Sequence, residues 1–159
     1  MVIILCGVPG SGKSTVARKL AANLRRIGRV KLFVSDEVSG RVYQRVSKFL
    51  NENLDEADYI LLDATFYKKK WREMVKAIAG EKNVVTCYLH CSLQTCLERN
   101  KERKPSLPER VIHIISKEIE YPQGPEISID TGKMGPEEAV YKTVARILSL
   151  RKQSFENQT

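Results

Sequence analysis

Short apolar runs and helix-spaced apolar stripes alternate along this chain from its first residues. Val2 to Cys6 is a continuous apolar run of strand length, and the stretch from Lys13 to about Arg26 reads as a helix, which makes a βαβ opening. Lys31 to Ser35 reads as a second strand. A helix from about Ser39 to Asn53 follows, with Val42, Val46, Phe49 and Leu50 at helical spacing. Tyr59 to Leu62 predicts a third strand, Lys69 to Ala79 a helix with Trp71, Val75 and Ile78 inward, and Asn83 to Leu89 a fourth, β-branched strand. Cys91 to Arg103 begins helical. Pro105, Pro108, Pro122 and Pro125 then surround a short amphipathic segment, Glu109 to Ile119, that does not fit a sheet and reads as a lid. Glu126 to Ile129 is the fifth strand. Pro136 to Leu150 is the closing helix, with Pro136 at its start and Glu137 and Glu138 in its first turn.

Strands joined by helical crossovers predict an α/β architecture of three layers: a five-stranded parallel sheet with helices on both faces, right-handed connections and a short helical lid. At 159 residues the chain suits one domain over 1–159, with the lid at about 100–124 and a frayed tail at 153–159. Such sheets bind ligands beyond the carboxyl ends of their strands. The chemistry is therefore expected at Gly7 to Ser14, at Asp36, at Asp63 and after His90.

Composition narrows the class. With 42% hydrophobic and 29% charged residues the chain is neither disordered nor membrane-embedded, and its first apolar run is too short for a bilayer span or a secretory segment. The expected location is cytoplasmic. Twenty-seven Lys and Arg against nineteen Asp and Glu leave a charge of +8, which points to an anionic partner. Nucleotide alone satisfies that; the runs Arg25-Arg26, Lys68 to Lys70 and Lys101 to Lys104 also suit RNA, or are solvated helix faces. Of the cysteines, Cys6 and Cys87 fall inside strands. With Cys91, Cys96 and His90 they form no paired CxxC, so the spacing argues against zinc.

Gly7-Val8-Pro9-Gly10-Ser11-Gly12-Lys13-Ser14 matches GxxxxGK[ST] and stands after an apolar strand and at a helix start. The glycines let successive backbone N–H groups face phosphate oxygens, and the helix dipole favours the anion. Lys13 then reaches the β and γ phosphates of a nucleotide, Ser14 offers its hydroxyl to magnesium, and Thr15 lies toward the α phosphate. Asp63, closing the run Tyr59 to Leu62, is a candidate magnesium carboxylate, with a helix cap as the competing reading. Asp36, just past the second strand, is the candidate general base for an acceptor hydroxyl. It too has a capping role as its alternative.

These residues resemble the small P-loop kinases that include L-seryl-tRNA(Sec) kinase, phage-type polynucleotide kinase and adenylylsulfate kinase, with the Kti12-type tRNA-modification ATPases close by. Gly7 to Thr15 is common to all of them, and Ser35-Asp36 is similar to the acid that these kinases use beside the acceptor. Asp63-Ala64-Thr65 with Arg72, and Arg99-Asn100 and Arg103 with Pro108 and Val111, resemble the seryl-tRNA and polynucleotide kinases. In contrast, Tyr121-Pro122 and the run from Pro125 to Thr131 look more like adenylylsulfate kinase, and Asp36-Glu37 like Kti12.

The resemblance implies ATP and Mg2+ as cofactors and an anionic, hydroxyl-bearing acceptor of nucleotide, RNA or aminoacyl-tRNA type. It makes Lys13, Asp36, Arg99 and Arg103 the catalytic set. Asp36, Arg41 and Arg72 are the candidate acceptor-binding set. Arg99 and Arg103, four apart, share a face if both are helical and then point together at the nucleotide; an exposed basic helix end is the other reading. One departure stands out: the arginine that these kinases usually carry three residues after the acid is Ser39 here.

Overall fold

The computed structural model describes residues 1–37 and 40–156, so the Ser39 position lies outside the described residues. Among them, five strands form one sheet in the order β2-β3-β1-β4-β5, all neighbours parallel. The strands are β1 Val2–Cys6, β2 Val30–Val34, β3 Tyr59–Asp63, β4 Val84–His90 and β5 Ile127–Asp130. The helices are α1 Lys13–Leu24, α2 Val42–Asn53, α3 Lys69–Ala79, α4 Leu93–Glu102, α5 Glu109–Glu118 and α6 Pro136–Glu156. The α/β architecture with a parallel sheet is as the hydropathy pattern predicted.

Each central strand is apolar on both faces because helices cover both. In β1, Ile3 and Leu5 pack with Leu20 and Leu24 of α1 and Ile147 of α6. Val2, Ile4 and Cys6 turn the other way, onto Val46 and Leu50 of α2 and Val75 of α3. The period-two alternation thus divides one apolar run between two cores.

Several boundaries differ from expectation. α2 begins at Val42, with Arg41 as its left-handed N-cap at φ 43°. α4 ends at Glu102, and Arg103 is already extended, at φ −77° and ψ 142°. α6 continues to Glu156 rather than ending at Leu150, and so takes in residues 153–156 of the expected tail. Ile147 and Leu150 still pack on the α1 core near that end, and Arg151 lies over the Tyr59 ring, its centre 4.9 Å from the centroid. Contacts made by the last apolar turns therefore extend the helix.

Register decides where the site forms. Asp63 pairs with Leu5 on one side and with Val34 on the other. Gly7 and Asp36, each two residues beyond those partners, therefore emerge beside it.

Candidate functional site

β1 leads into the glycine-rich loop. Gly7 N–H donates to Thr65 O at 3.1 Å, and Ser11 N–H closes a turn on Val8 O at 3.0 Å. Gly12, at φ 93°, is the N-cap of α1 and supplies no side-chain cap. The first-turn N–H groups of Lys13, Ser14 and Thr15 are therefore left facing outward, as an anion requires. Gly10, at φ +87°, has no room for a side chain: a Cβ there stands 2.4 Å from Cys96 O, a backbone atom that cannot step aside. Gly10→Ala is expected to lose nucleotide binding by more than about tenfold, read by titration with a fluorescent ATP analogue. Unchanged affinity would show that the loop tolerates a displaced Gly10.

Lys13 is buried, and its Nζ donates to Val8 O at 3.1 Å. Burial pushes its pKa down, opposed first by the Asp63 carboxylate. Asp63 is 1% exposed, and its Oδ2 has no hydrogen-bond partner among the described residues. Burial raises its pKa, opposed by Lys13 and by a hydrogen bond from Ser14. A buried carboxylate with an orphaned oxygen, joined to a hydroxyl at the mouth of a phosphate loop, fits a magnesium ion. The capping alternative fails, because α3 starts at Lys69 and its cap, Lys68, offers no side chain. Thr65 instead exchanges a hydrogen bond of 3.2 Å with Tyr43 Oη.

Asp36 lies on a single 3-10 turn, Ser35–Glu37, with its side chain 44% exposed. It does not cap α2, whose N-cap is Arg41. Its carboxylate pairs with Arg103 of the lid segment. This ion pair bridges lid and sheet, and it also corrects the shared-face expectation. α4 stops before Arg103, so the two lid arginines diverge.

Arg99 turns to the opposite side of the loop. It donates to Gly10 O at 3.3 Å, to Thr131 Oγ1 at 3.0 Å and to Thr131 O at 2.8 Å. Thr131 in turn donates from Oγ1 to Ser11 O at 2.8 Å. Arg99 and Thr131 therefore tie the phosphate loop to the end of β5.

A solvent-open cleft collects most of the predicted residues. Pro9, Gly10, Gly12, Lys13, Ser14 and Thr15 line it together with Asp36, Asp63, Arg99, Arg103 and Thr131. Lys104, Pro105, Leu107 and Ile115 of the lid segment overhang it. Gly7, Val8 and Ser11 of the loop do not line this cleft; Gly7 is buried at the strand end, and Val8 and Ser11 face a smaller cavity behind the loop.

Two predicted residues lie elsewhere. Arg41 is an exposed helix cap. Arg72 is 5% exposed and turned inward, with Nη1 donating to Phe66 O at 2.6 Å and Nη2 to Glu120 O at 2.7 Å. Neither borders the cleft. Phe66 sits at φ 45° just past Asp63, so Arg72 holds a bent loop to the segment that follows the lid helix. The guanidinium is used on backbone because α3 buries that face.

Asn100 and Thr131 fall among the motif residues of the resemblance, which assigned neither a function. Asn100 is buried and clasps Leu107 with both amide atoms, at 2.8 and 2.9 Å, which anchors the lid base. The strand-end rule applied to β5 was the signal for Thr131. For Asn100 only its place beside Arg99 was a signal, since a buried amide in a polar helix end looks like a surface residue.

The sheet order, the loop and the strand-end carboxylates define a P-loop protein of the small kinase type. The chain belongs to a family described as an AAA domain, whose model matches residues 2–122. It is 35% identical to L-seryl-tRNA(Sec) kinase of Homo sapiens over 66 residues, 40% of this chain and 19% of that protein. The aligned part thus spans about a fifth of that relative's length. It is 29% identical to a probable adenylyl-sulfate kinase of Halalkalibacterium halodurans over 167 aligned positions, 91% of this chain and 81% of that one. Among solved structures, a gluconokinase from Sinorhizobium meliloti 1021 superposes with a TM-score of 0.81 at 17% identity, over 99% of this chain and 97% of its own.

Proposed function

We propose that this chain is an ATP-dependent phosphotransferase that moves the γ-phosphoryl group to a hydroxyl of an anionic acceptor. The observation that carries the reading is the single cleft in which Asp36 faces the same space as Lys13 and Asp63. A passive nucleotide binder has no use for a second carboxylate beyond the phosphate loop. Lys13 holds the β and γ phosphates, and the free N–H groups at the start of α1 cradle them. Ser14 and Asp63 would hold Mg2+, which neutralises phosphate charge when bound. Asp36 orients the acceptor hydroxyl and accepts its proton. Arg103 and Lys104 make the overhanging wall cationic, in keeping with the +8 charge and an anionic acceptor. Arg99 and Thr131 border the nucleotide side. Within this reading 1–159 is one domain with its lid at about 100–124, it works in the cytoplasm, and its acceptor classes are adenylylsulfate, nucleotide, RNA and aminoacyl-tRNA.

The test is transfer of labelled γ-phosphate to that acceptor panel. Asp36→Asn is expected to lower transfer by about 10² to 10⁴-fold while leaving nucleotide affinity within a few-fold, because Asp36 does not touch the loop. One observation favours a second reading, a Kti12-like ATPase associated with RNA: Arg41 and Arg72, the expected acceptor arginines, are outside the cleft. Phosphate release that RNA stimulates and Asp36→Asn leaves intact, with no labelled acceptor, would establish that reading instead.

A further inference from the structure

Behind the phosphate loop lie two thiols that the phosphotransfer reading does not use. Cys91 opens the connection from β4 to α4, and Cys96 lies in the first turns of α4. Their sulfurs are 3.2 Å apart. A disulfide needs about 2.05 Å, so the pair has to close by only about 1 Å. We propose that Cys91 and Cys96 form an oxidative modification site, in which a hydroperoxide converts the two thiols to a disulfide and thereby weakens nucleotide binding at the loop.

Access and order of attack follow from the surroundings. Cys96 is 2% exposed, whereas Cys91 is half-buried. Both border a cavity that opens to solvent, shared with Val8, Ser11, His90 and Tyr121. Its opening gives a small hydroperoxide a path to both sulfurs. The cavity is polar enough to receive one, because the buried Ser11 Oγ has no partner among the described residues. Arg99 also donates an N–H to Cys91 Sγ at 3.7 Å. Burial and the adjacent Cys91 thiol push the Cys96 thiol up to about 12, which leaves Cys91 as the first nucleophile.

The chemistry balances with the peroxide as the only co-reactant. Cys91 gives up its proton and its sulfur attacks the terminal peroxide oxygen; the O–O bond breaks, and the remaining oxygen leaves carrying that proton, as an alcohol from an organic hydroperoxide or as water from hydrogen peroxide. Cys91 is then a sulfenic acid. The Cys96 sulfur displaces its hydroxyl, which departs as water with the Cys96 proton. Two thiols are oxidised by two electrons, and one hydroperoxide is reduced.

Contact with the loop carries the effect. Cys91 Sγ is 4.0 Å from Gly10 O, the carbonyl that also accepts from Arg99. The backbone of Cys96 abuts Gly10 so closely that even a Cβ has no room between them. Drawing the sulfurs together displaces the start of α4 against a loop with no slack. Cys6 and Cys87 are buried inside strands and are outside this chemistry.

The gating half rests on the loop's binding nucleotide; the linkage does not. The full chain is treated with hydrogen peroxide, its mass measured, its disulfides mapped, and a fluorescent ATP analogue titrated before oxidation, after it, and after dithiothreitol. The expected result is loss of two hydrogens mapped to Cys91 and Cys96, affinity weakened about tenfold or more, and recovery on reduction. Cys91→Ser, at a half-buried position that keeps a hydrogen-bond acceptor for Arg99, is expected to bind as the reduced parent does and to ignore peroxide. Thiols that remain unlinked, or linked protein that binds as tightly as reduced, would overturn the proposal. Reduced protein that binds no nucleotide would count against the proposed function, and the mapped disulfide would still decide this site.

Discussion

Lys13→Ala is expected to abolish phosphoryl transfer and hydrolysis, with a fall of at least about 10³-fold, while the thermal midpoint moves by no more than a few degrees. The two halves have different causes. Lys13 is a buried cation whose pKa is pushed down, which means that the fold holds its charged form at a cost. Removing it relieves that cost and leaves the Asp63 carboxyl without its nearest cation, so Asp63 rises further toward its protonated form. The net change in stability is small. The ammonium is the cation set within the loop itself, and of the lid arginines Arg99 is engaged with Thr131 and Arg103 with Asp36. Steady-state kinetics beside a thermal melt reads both halves. Substantial residual turnover would mean that another cation reaches the γ phosphate.

Arg72→Ala is expected to act in the opposite way, on stability before chemistry. The substitution removes the guanidinium donors from Phe66 O and Glu120 O, leaving Phe66 O only the weak Cys6 thiol, and leaves a cavity beside buried Cys6 and Phe66. Hydrogen bonds to charged groups contribute about 1.5–3 kcal/mol each, and a single buried site seldom costs more than about 4 kcal/mol in all. A loss of about 3 kcal/mol lowers the midpoint by roughly 6–12 °C for a chain of this size. Nucleotide affinity well below the new midpoint is expected to stay within a few-fold of the parent. A family-type acceptor role for Arg72 predicts the reverse: an unchanged melt with a raised KM for acceptor. Differential scanning calorimetry and acceptor titration decide between them.

The contrast between Lys13 and Arg72 shows what a sequence can place. Lys13 sits in a motif whose every position answers a local requirement: glycines for an exposed backbone, then a helix start. Nothing distant has to be known. Arg72 was assigned from its place after a strand-end acid, but whether a helical side chain faces cleft or core depends on what packs against α3, here the Phe66 loop and Glu120 after the lid helix. The arginine pair failed for a related reason. Their spacing puts both on one face only while the helix lasts, and α4 ends between them, where Asn100 draws the chain back onto itself through Leu107.

By itself the sequence determined the alternation of strands and helices, the parallel sheet and the phosphate loop, because these rest on hydrophobic periodicity and on backbone chemistry that operates within a few residues. It also selected Asp36 and Asp63, since strand ends are legible from apolar runs. Only the tertiary structure decided what those residues meet. Register between strands far apart in sequence sets Asp63 between β1 and β2. Packing from both sides buries it with Lys13. Chain reversal after α4 brings Arg103 to Asp36. These are pairwise contacts between distant segments, and no local pattern in a single chain encodes them.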